Sequence, residues 1–180
     1  MEDLKGLSGK VVAITGASGY IGSALSKKLT SYPVKIIRIS RKKLVPIHGV
    51  DDWVMDLTCL SSWNKVVNNV DIIFHLSSNT SIYEAEKNPK NSLDSNLLPI
   101  IQLISASKHF ANVPKVIFAS TATVYGLKTE FPVKESDKTN PLTVYDKHKL
   151  LAEEKLIEAS NINILNTVIL RLANVYGPSV

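Results

Sequence analysis

The chain has 180 residues, 44% of them hydrophobic and 21% charged, and a formal net charge of +5. This length accommodates one well-packed domain, and the composition is that of an ordinary globular protein. A single cysteine, Cys59, excludes an internal disulfide and a cysteine-based metal cluster, and no apolar run approaches the roughly 20 residues of a membrane span. Because the N-terminus also lacks the features of a secretory signal, the cytoplasm is the expected location.

Short apolar segments alternate along the chain with segments of helical spacing. Residues 10–15 (KVVAIT) predict a strand buried on both faces, and residues 20–30 predict a helix because Ile21, Leu25 and Leu29 recur every four positions. Further strands are predicted at 34–39, 53–55, 71–76, 115–120 and 164–172. Further helices are predicted at 61–69, with Ser61 or Ser62 as N-cap, at 96–110 and at about 143–160.

This alternation predicts an α/β fold, a doubly wound parallel sheet with helices on both faces, formed by one domain over residues 1–180. In such sheets ligands bind at the carboxyl ends of the strands. The chemistry-bearing motifs fall just after predicted strands or on the helix after the fifth strand, which agrees with that architecture.

Three glycines form a turn directly after the first predicted strand. Glycine permits a tight turn and a close approach of the backbone to a pyrophosphate, and the amides of the following helix then face the phosphates. The spacing is Gly-x-x-Gly-x-x-Gly, so a plain strand-to-helix connection is the alternative. The predicted cofactor-binding residues of this segment are Gly16, Ser18, Gly19, Tyr20, Ile21 and Gly22.

The end of the second predicted strand bears on the choice between NAD and NADP. Proteins that bind NAD usually place an acid there for the ribose 2′-hydroxyl, whereas this chain has Ser40 and Arg41 followed by two lysines. Cations attract a 2′-phosphate, so NADP is favoured over NAD, with an ordinary basic loop as the alternative. The cofactor site is completed by later strand ends at Asp56, Leu57, Leu76, Ser77 and Ser78, whereas His75 is interpreted as a structural histidine.

Tyr145 and Lys149 lie four residues apart on a predicted helix and therefore share a face. A free tyrosine has a pKa of about 10. A nearby ammonium is expected to stabilise the phenolate and lower that pKa, although this spacing also occurs by chance in helices. Ser120 and Thr121 end the fifth predicted strand, where a hydroxyl can orient a reacting oxygen or serve only as turn chemistry.

With these motifs the chain resembles the extended short-chain dehydrogenases/reductases and, more narrowly, the NAD-dependent epimerase/dehydratase family, which acts on nucleotide sugars. The resemblance covers about residues 8–178. The motifs that carry it, in chain order, are TGASGYIG (15–22), Asp56-Leu57, His75-Leu76-Ser77-Ser78, Asn96, STATVYG (120–126), Tyr145-x-x-x-Lys149 and RLANVYGP (171–178).

The resemblance implies a Rossmann-like fold and a role for each matching residue. Tyr145 is implied as the acid/base, Lys149 as its activator and a ligand of the cofactor ribose, and Thr121 as the catalytic Ser/Thr. Asn96 is implied to support the lysine region, and Asn96, Tyr145 and Lys149 all count among the predicted cofactor-binding residues. Substrate contacts are implied at Thr121, Thr123 and Asn174, and no metal ligand is predicted.

Departures from the family pattern narrow the expected activity. Ala122 and Thr123 stand where 4,6-dehydratases carry an Asp-Glu pair, so elimination of water from the sugar is not expected. The resemblance also implies a smaller substrate-binding lobe after residue 178. Because the sequence contains no such lobe, the chain is expected to be truncated after its cofactor domain.

The leading prediction is a nucleoside-diphosphate-sugar epimerase that oxidises a sugar hydroxyl transiently through a bound nicotinamide cofactor. The alternatives are an NADP-dependent keto-sugar reductase and a catalytically inactive cofactor-binding fragment. A nucleotide sugar is the expected partner. Nucleic acid is not expected, because the lysines are dispersed and accompany no binding motif. A homodimer through the helices at 96–110 and 143–160 is a further expectation.

Overall fold

A six-stranded sheet forms the centre of the computed structural model, which describes residues 5–178. All strand pairings are parallel, and the spatial order is β3-β2-β1-β4-β5-β6. This is the doubly wound, Rossmann-like order, which confirms the predicted fold class. The strands are β1 (Val11–Thr15), β2 (Lys35–Ser40), β3 (Val50–Val54), β4 (Ile72–His75), β5 (Lys115–Thr121) and β6 (Asn166–Leu172).

Six helices connect the strands and cover the sheet. On one face α1 packs with Leu25 and Leu29 against Val12 and Ile14 of β1, whereas Ala13 faces the core on the other side. The alternation follows from the two-residue period of a strand. The helices are α1 (Tyr20–Leu29), α2 (Leu60–Asn69), α3 (Ile82–Lys87), α4 (Pro89–Asn96), α5 (Leu98–Ser107) and α6 (Val144–Asn161).

The larger part of the core lies between the sheet and α2, α5 and α6. Trp63 of α2 is fully buried there, and its indole N–H donates a hydrogen bond of 2.8 Å to the carbonyl oxygen of Leu57. Burial of a large apolar side chain contributes about 1.5–3 kcal/mol to folding. The same contact holds the segment after β3, where Asp56 and Leu57 lie, against the sheet.

The segment between β4 and α5 contains two helices that the sequence reading did not predict. Asn96 closes α4, and α5 begins at Leu98, so the predicted single helix over 96–110 was wrong at its start. Pro99 does occupy the first turn of α5, as expected. The predicted N-cap of α2 was also wrong, because Cys59 holds that position and its side chain makes no capping hydrogen bond.

The helix that carries the tyrosine–lysine pair, α6, begins with a capping box. The Thr143 hydroxyl accepts from the backbone N–H of Asp146, and the Asp146 carboxylate accepts from the backbone N–H of Thr143. This reciprocal pair fixes the start of the helix directly beside Tyr145. None of the helices in the described range 5–178 is long and apolar enough to cross a membrane.

Apolar side chains remain exposed on the helices that were expected to form a dimer interface. Ile101 of α5 and Ile157 of α6 are 40% and 45% exposed. The buried residues of the same helices, such as Ile100 and Leu156, pack in the core. The homodimer stays a prediction, since scattered exposed apolar side chains are normal on a monomer.

Candidate cofactor and active site

A cavity of about 530 Å³ opens at the carboxyl ends of β1, β2 and β4. The strand order reverses between β1 and β4, which is where doubly wound sheets bind their ligands. Cofactor sites commonly enclose roughly 300–1,000 Å³. Ten residues of the predicted cofactor site line the cavity: Gly16, Ser18, Gly19, Ser40, Arg41, Asp56, Leu57, Leu76, Ser77 and Ser78.

The glycine turn is required by its surroundings. Gly16 has φ of +64°, and a Cβ there would lie 2.8 Å from the backbone carbon of Leu76 and the backbone nitrogen of Ser77. At Gly22 a Cβ would lie 2.3 Å from the carbonyl oxygen of Gly16. These two glycines therefore let the turn after β1 approach both the end of β4 and the first turn of α1. A side chain at either position would clash with these backbone atoms.

The N-terminus of α1 faces the turn without a side-chain cap. Its N-cap, Gly19, makes no side-chain hydrogen bond to the first-turn amides. Uncapped amides at a helix N-terminus, together with the helix dipole, favour an anion. The turn and helix therefore fit the pyrophosphate of a dinucleotide. Tyr20, Ile21 and Gly22 belong to this helix start but do not line the cavity.

Beneath the turn, β1 and β4 are joined by a buried polar cluster. The Thr15 hydroxyl accepts from the backbone N–H groups of Leu76 and Ser77, both at 3.1 Å, and lies 3.0 Å from Nδ1 of His75. Burial and, to a smaller extent, the charge of Lys149 together lower the pKa of His75 to about 3. The imidazole is therefore neutral at physiological pH, and its burial and its contact with Thr15 agree with its interpretation as a structural histidine.

The basic residues at the end of β2 and directly after it differ in accessibility, since Arg38 is buried and Arg41 is exposed. Arg38 is buried and donates to both carboxylate oxygens of Asp52 at 2.7 Å, so its charge is paired within the sheet. Ser40 donates to the carbonyl oxygen of Lys42. Arg41 lines the cavity, and its charge contributes to the lowered pKa of Asp56, whose main cause is hydrogen bonding by Thr58.

Asn96 supports the loop after β4. Its side-chain oxygen accepts from the Ser78 hydroxyl at 2.7 Å and from the backbone N–H of Asn79 at 3.1 Å, and its amide donates to Ser92 at 3.3 Å. Ser92 in turn contacts Nδ1 of His148 on α6 at 2.9 Å. Asn96 is buried and does not line the cavity, and its described hydrogen bonds do not include Lys149.

The phenol of Tyr145 lies at the edge of the cavity. Ser78, which lines the cavity and donates its hydroxyl proton to Asn96, lies beside the phenol and acts to lower the pKa of Tyr145. Burial raises the pKa of Tyr145 by more than Ser78 lowers it, and the negative charge of Asp146 raises it further. The pKa of Tyr145 therefore lies above its ordinary value. The expectation that Lys149 lowers this pKa is therefore wrong for this structure.

Lys149 is directed into the protein. It is 2% exposed, its ammonium donates to the carbonyl oxygen of Ala119 at 2.5 Å, and it lies 4.1 Å from the ring centroid of Phe118. Burial lowers the pKa of Lys149 to about 7, although the charge of Glu153 acts in the opposite direction. These contacts hold the ammonium of Lys149 between α6 and β5.

The two hydroxyls at the end of β5 have separate partners. Ser120 donates to the buried carboxylate of Glu153, so it is committed to the interior. Thr121, at the predicted catalytic position, is half-buried and lies 2.8 Å from the hydroxyl of Thr123. Thr123 also donates to Asp146 on α6. Asn174 is exposed beyond the end of β6 and lines neither this cavity nor a second one beside β6.

A buried ion pair joins α6 to β6 behind these hydroxyls. The guanidinium of Arg171 donates through Nε and Nη2 to Glu153 Oε2 at 3.0 and 2.7 Å. Arg171 also donates to the Tyr125 hydroxyl at 2.7 Å. The hydrogen bonds to Glu153 are the largest cause of the raised pKa of Arg171. This network fixes the position of β6 relative to α6, which carries Tyr145.

Several residues of the cavity were not predicted from sequence. The sequence did contain a signal for the start of α3, the helix that follows the cavity loop after β4. Ser81 is followed three residues later by Glu84, which is a helix-start pattern, and Ser81 caps α3 in the structure. The described part of the chain contains no group of His, Cys, Asp and Glu side chains that could hold a metal ion. The unpredicted cavity residues are Ile39, Met55, Thr58, Asn79, Asn91, Ser95 and Pro99.

Comparison with curated proteins and solved structures finds epimerases. UDP-glucuronate 4-epimerase 4 of Arabidopsis thaliana is 28% identical over 95% of this chain and 43% of its own length. UDP-glucose 4-epimerase of Mycoplasma genitalium is 32% identical over 92% of this chain and 53% of its own. The chain thus spans about half the length of these relatives.

The solved structures show the same relation. UDP-N-acetylglucosamine 4-epimerase from Methanobrevibacter ruminantium M1, in complex with UDP-N-acetylmuramic acid, superposes with a TM-score of 0.86 at 28% identity, covering 96% of this chain and 57% of that one. MoeE5 in complex with UDP-glucose and NAD superposes with a TM-score of 0.82 at 28% identity, covering 93% and 56%. The family model matches residues 12–180, and the chain belongs to the NAD dependent epimerase/dehydratase family.

Proposed function

We propose that this protein is a nucleotide-sugar epimerase that works through a bound nicotinamide dinucleotide. One observation carries the proposal. The Tyr145 phenol lies beside Ser78, a residue of the cavity at the carboxyl ends of β1, β2 and β4. A proton-carrying side chain therefore stands at the edge of a site that fits a dinucleotide. The named relatives act on UDP-sugars, which supports a UDP-sugar as substrate.

In the proposed reaction Tyr145 and Thr121 have separate roles. Tyr145 takes the proton of a sugar hydroxyl and later returns it, as a general base and then a general acid. Thr121 binds the same hydroxyl. The nicotinamide, when bound, supplies the hydride chemistry at the carbon that carries this hydroxyl. Since the hydride leaves and returns, the reaction has no net oxidation.

The Tyr145→Phe variant tests this assignment. We expect it to bind NADH like the unchanged protein but to lose at least about 100-fold in turnover, because general acid–base catalysis contributes about 10²–10⁴-fold. The measurement follows the interconversion of UDP-glucose or UDP-glucuronate with its 4-epimer by proton NMR. Tyr83→Phe, at a tyrosine that is 71% exposed on α3, is the matched control.

The same assay separates the proposal from its rivals. Undiminished turnover of Tyr145→Phe would remove the phenol from the mechanism. Stoichiometric consumption of NADPH by a keto-sugar would identify a reductase. If the unchanged protein binds NADH but converts no UDP-sugar, the inactive cofactor-binding fragment is the better description.

The proposal also includes a preference between NAD and NADP, which is argued from the position of Arg41. The family is described as NAD-dependent. Here β2 ends in Ser40 without a carboxylate, and Arg41 lines the cavity while Arg38 is held by Asp52. We therefore propose that NADP is bound more tightly than NAD through a contact of Arg41 with the 2′-phosphate.

Replacement of Arg41 by glutamine tests the cofactor preference. We expect the affinity for NADPH to fall about tenfold and that for NADH to stay unchanged, since a hydrogen bond to a charged group contributes about 1.5–3 kcal/mol. Fluorescence titration with both dinucleotides measures this. Lys43→Gln, in the same exposed loop but outside the cavity, is the control. Tighter binding of NADH by the unchanged protein would overturn the preference.

A further inference from the structure

The connection between β4 and α5 contacts α6 on both sides of Tyr145. On the N-terminal side, the backbone N–H of Val144 donates to the Glu86 carboxylate of α3 at 2.7 Å. On the C-terminal side, the hydroxyl of Ser92 in α4 lies 2.9 Å from Nδ1 of His148. Ser92 is 1% exposed, so its hydroxyl finds its partners inside the protein.

The side chain of Asn96 determines the direction of the hydrogen bonds that reach this contact. Its oxygen accepts from the Ser78 hydroxyl and from the backbone N–H of Asn79, which can only donate. Its amide nitrogen therefore faces the other way and donates to the Asn79 carbonyl oxygen at 3.2 Å and to the Ser92 hydroxyl at 3.3 Å. A flipped amide would set a donor against the backbone N–H, so the orientation of Asn96 is fixed.

The proton of Ser92 then points to His148. The Ser92 oxygen accepts from Asn96, and Nδ1 of His148 is the acceptor that remains for its proton among the described contacts. A proton on Nδ1 would leave the buried Ser92 proton unpaired, which folded proteins avoid. Burial lowers the pKa of His148, which favours the neutral imidazole. Hydrogen bonds thus run in one direction from Ser78 through Asn96 and Ser92 to His148, a series that we call the loop–helix link.

We propose that His148 and Ser92 are positioning residues for the proposed reaction, because the imidazole accepts the last hydrogen bond of the loop–helix link and so holds Ser78 beside the phenol of Tyr145. This inference rests on the proposed function and deepens it. Ser78 and Tyr145 belong to segments far apart in the sequence, so their separation depends on a contact between the loop and the helix. His148 follows Tyr145 by three positions, which places the two residues on neighbouring parts of the helix surface.

Two variants of His148 differ in the acceptor that they offer to Ser92. In His148→Asn the side-chain oxygen takes the place of Nδ1, since both atoms are bonded to Cγ, and it can accept. In His148→Leu a methyl group takes that place and accepts nothing. Ser92→Ala removes the donor, so combining it with His148→Leu is expected to add no further effect. His109→Leu, at an exposed histidine after α5, is the matched control.

NMR spectroscopy tests the loop–helix link without any ligand. The ¹⁵N spectrum of the imidazole is expected to show the His148 proton on Nε2 and none on Nδ1 in the unchanged protein. A nuclear Overhauser effect between the Tyr145 ring and the Ser78 methylene group reports their contact. We expect this effect in the unchanged protein, in His109→Leu and in His148→Asn, and its loss in His148→Leu and Ser92→Ala.

Turnover of UDP-glucose or UDP-glucuronate measures what the link contributes to the reaction. We expect kcat to fall at least about tenfold in His148→Leu, because a misplaced catalytic group loses rate steeply with distance. KM should change less than kcat, since the phenol acts on the reacting hydroxyl and not on the nucleotide. His148→Asn and His109→Leu should retain most of kcat.

The outcomes separate this inference from the proposed function. A proton on Nδ1 of His148 in the unchanged protein would overturn the inference, as would a contact of Tyr145 with Ser78 that persists in His148→Leu. Equal loss in His148→Asn and His148→Leu would show that the acceptor does not hold the loop. If the unchanged protein converts no UDP-sugar, the proposed function is wrong, and the Overhauser effect still decides whether His148 positions the phenol.

Discussion

Replacement of Glu153 by alanine is expected to lower the free energy of unfolding by about 3–5 kcal/mol, the cost of breaking a buried ion pair by removing one partner. The Glu153 side chain is 1% exposed and accepts hydrogen bonds from Ser120 and, at two nitrogens, from Arg171. Alanine would leave the half-buried guanidinium and the Ser120 hydroxyl without their acceptor. Urea denaturation followed by circular dichroism measures the change.

The adjacent residue provides the control for this prediction. Glu154 has the same side chain on the same helix but is exposed. Its replacement by alanine is expected to change stability by less than about 0.5 kcal/mol. Equal effects of the two substitutions would show that the pair of Glu153 with Arg171 does not hold α6 against β6.

Replacement of Gly22 by alanine is expected to reduce affinity for NADH at least tenfold and to destabilise the fold by about 1–3 kcal/mol, the usual cost of overpacking. The added Cβ would lie 2.3 Å from the Gly16 carbonyl oxygen and 2.9 Å from the Ala17 Cα. Both are backbone atoms, so no side chain can move aside. Helix α1 must shift away from the turn that is proposed to hold the pyrophosphate.

The control for the glycine prediction lies near the N-terminus. A Cβ at Gly6 would meet nothing within 4 Å, so Gly6→Ala is expected to leave both binding and stability unchanged. Fluorescence titration with NADH, on samples whose circular dichroism shows them folded, separates lost binding from unfolding. Unchanged affinity in Gly22→Ala would contradict the role of the turn.

Much of the fold was predictable because its signals are local. Five of the six strands contain short apolar runs, and the glycine turn directly follows β1. The strand β3 was predicted only at 53–55, because Asp51 and Asp52 interrupt the apolar pattern of its observed range, Val50–Val54. Helices α3 and α4 were missed because they are short and polar and lack an apolar period. Their start signals were present, since Ser81 caps α3 and Asn88 caps α4.

The parts of the site that sequence could not predict depend on contacts between distant segments. Glu153 and Arg171 meet across 18 positions, and Thr123 and Asp146 across 23. Nothing in either local pattern identifies the partner. Likewise nothing in the local sequence shows that Arg38 of β2 pairs with Asp52 of β3, whereas Arg41 lines the cavity.

The electrostatics of the tyrosine–lysine pair also depend on tertiary structure. Helical spacing places Tyr145 and Lys149 on one face, but it does not determine how deeply each is buried. Burial raises the pKa of Tyr145 and lowers that of Lys149 to about 7. Desolvation opposes the charged form of both groups, and it outweighs the effect that spacing alone predicts.

Chemical-shift mapping by ¹⁵N NMR tests the central claim, that the cavity at the carboxyl ends of β1, β2 and β4 binds a nicotinamide dinucleotide. On addition of NADH or NADPH, we predict shifts of the backbone amides at residues 16–22, at Ser40 and Arg41, and at residues 76–78. Amides at residues 128–135, beside the second cavity, are predicted to stay unchanged. Absence of any shift with both dinucleotides, or shifts confined to residues 128–135, would contradict the account.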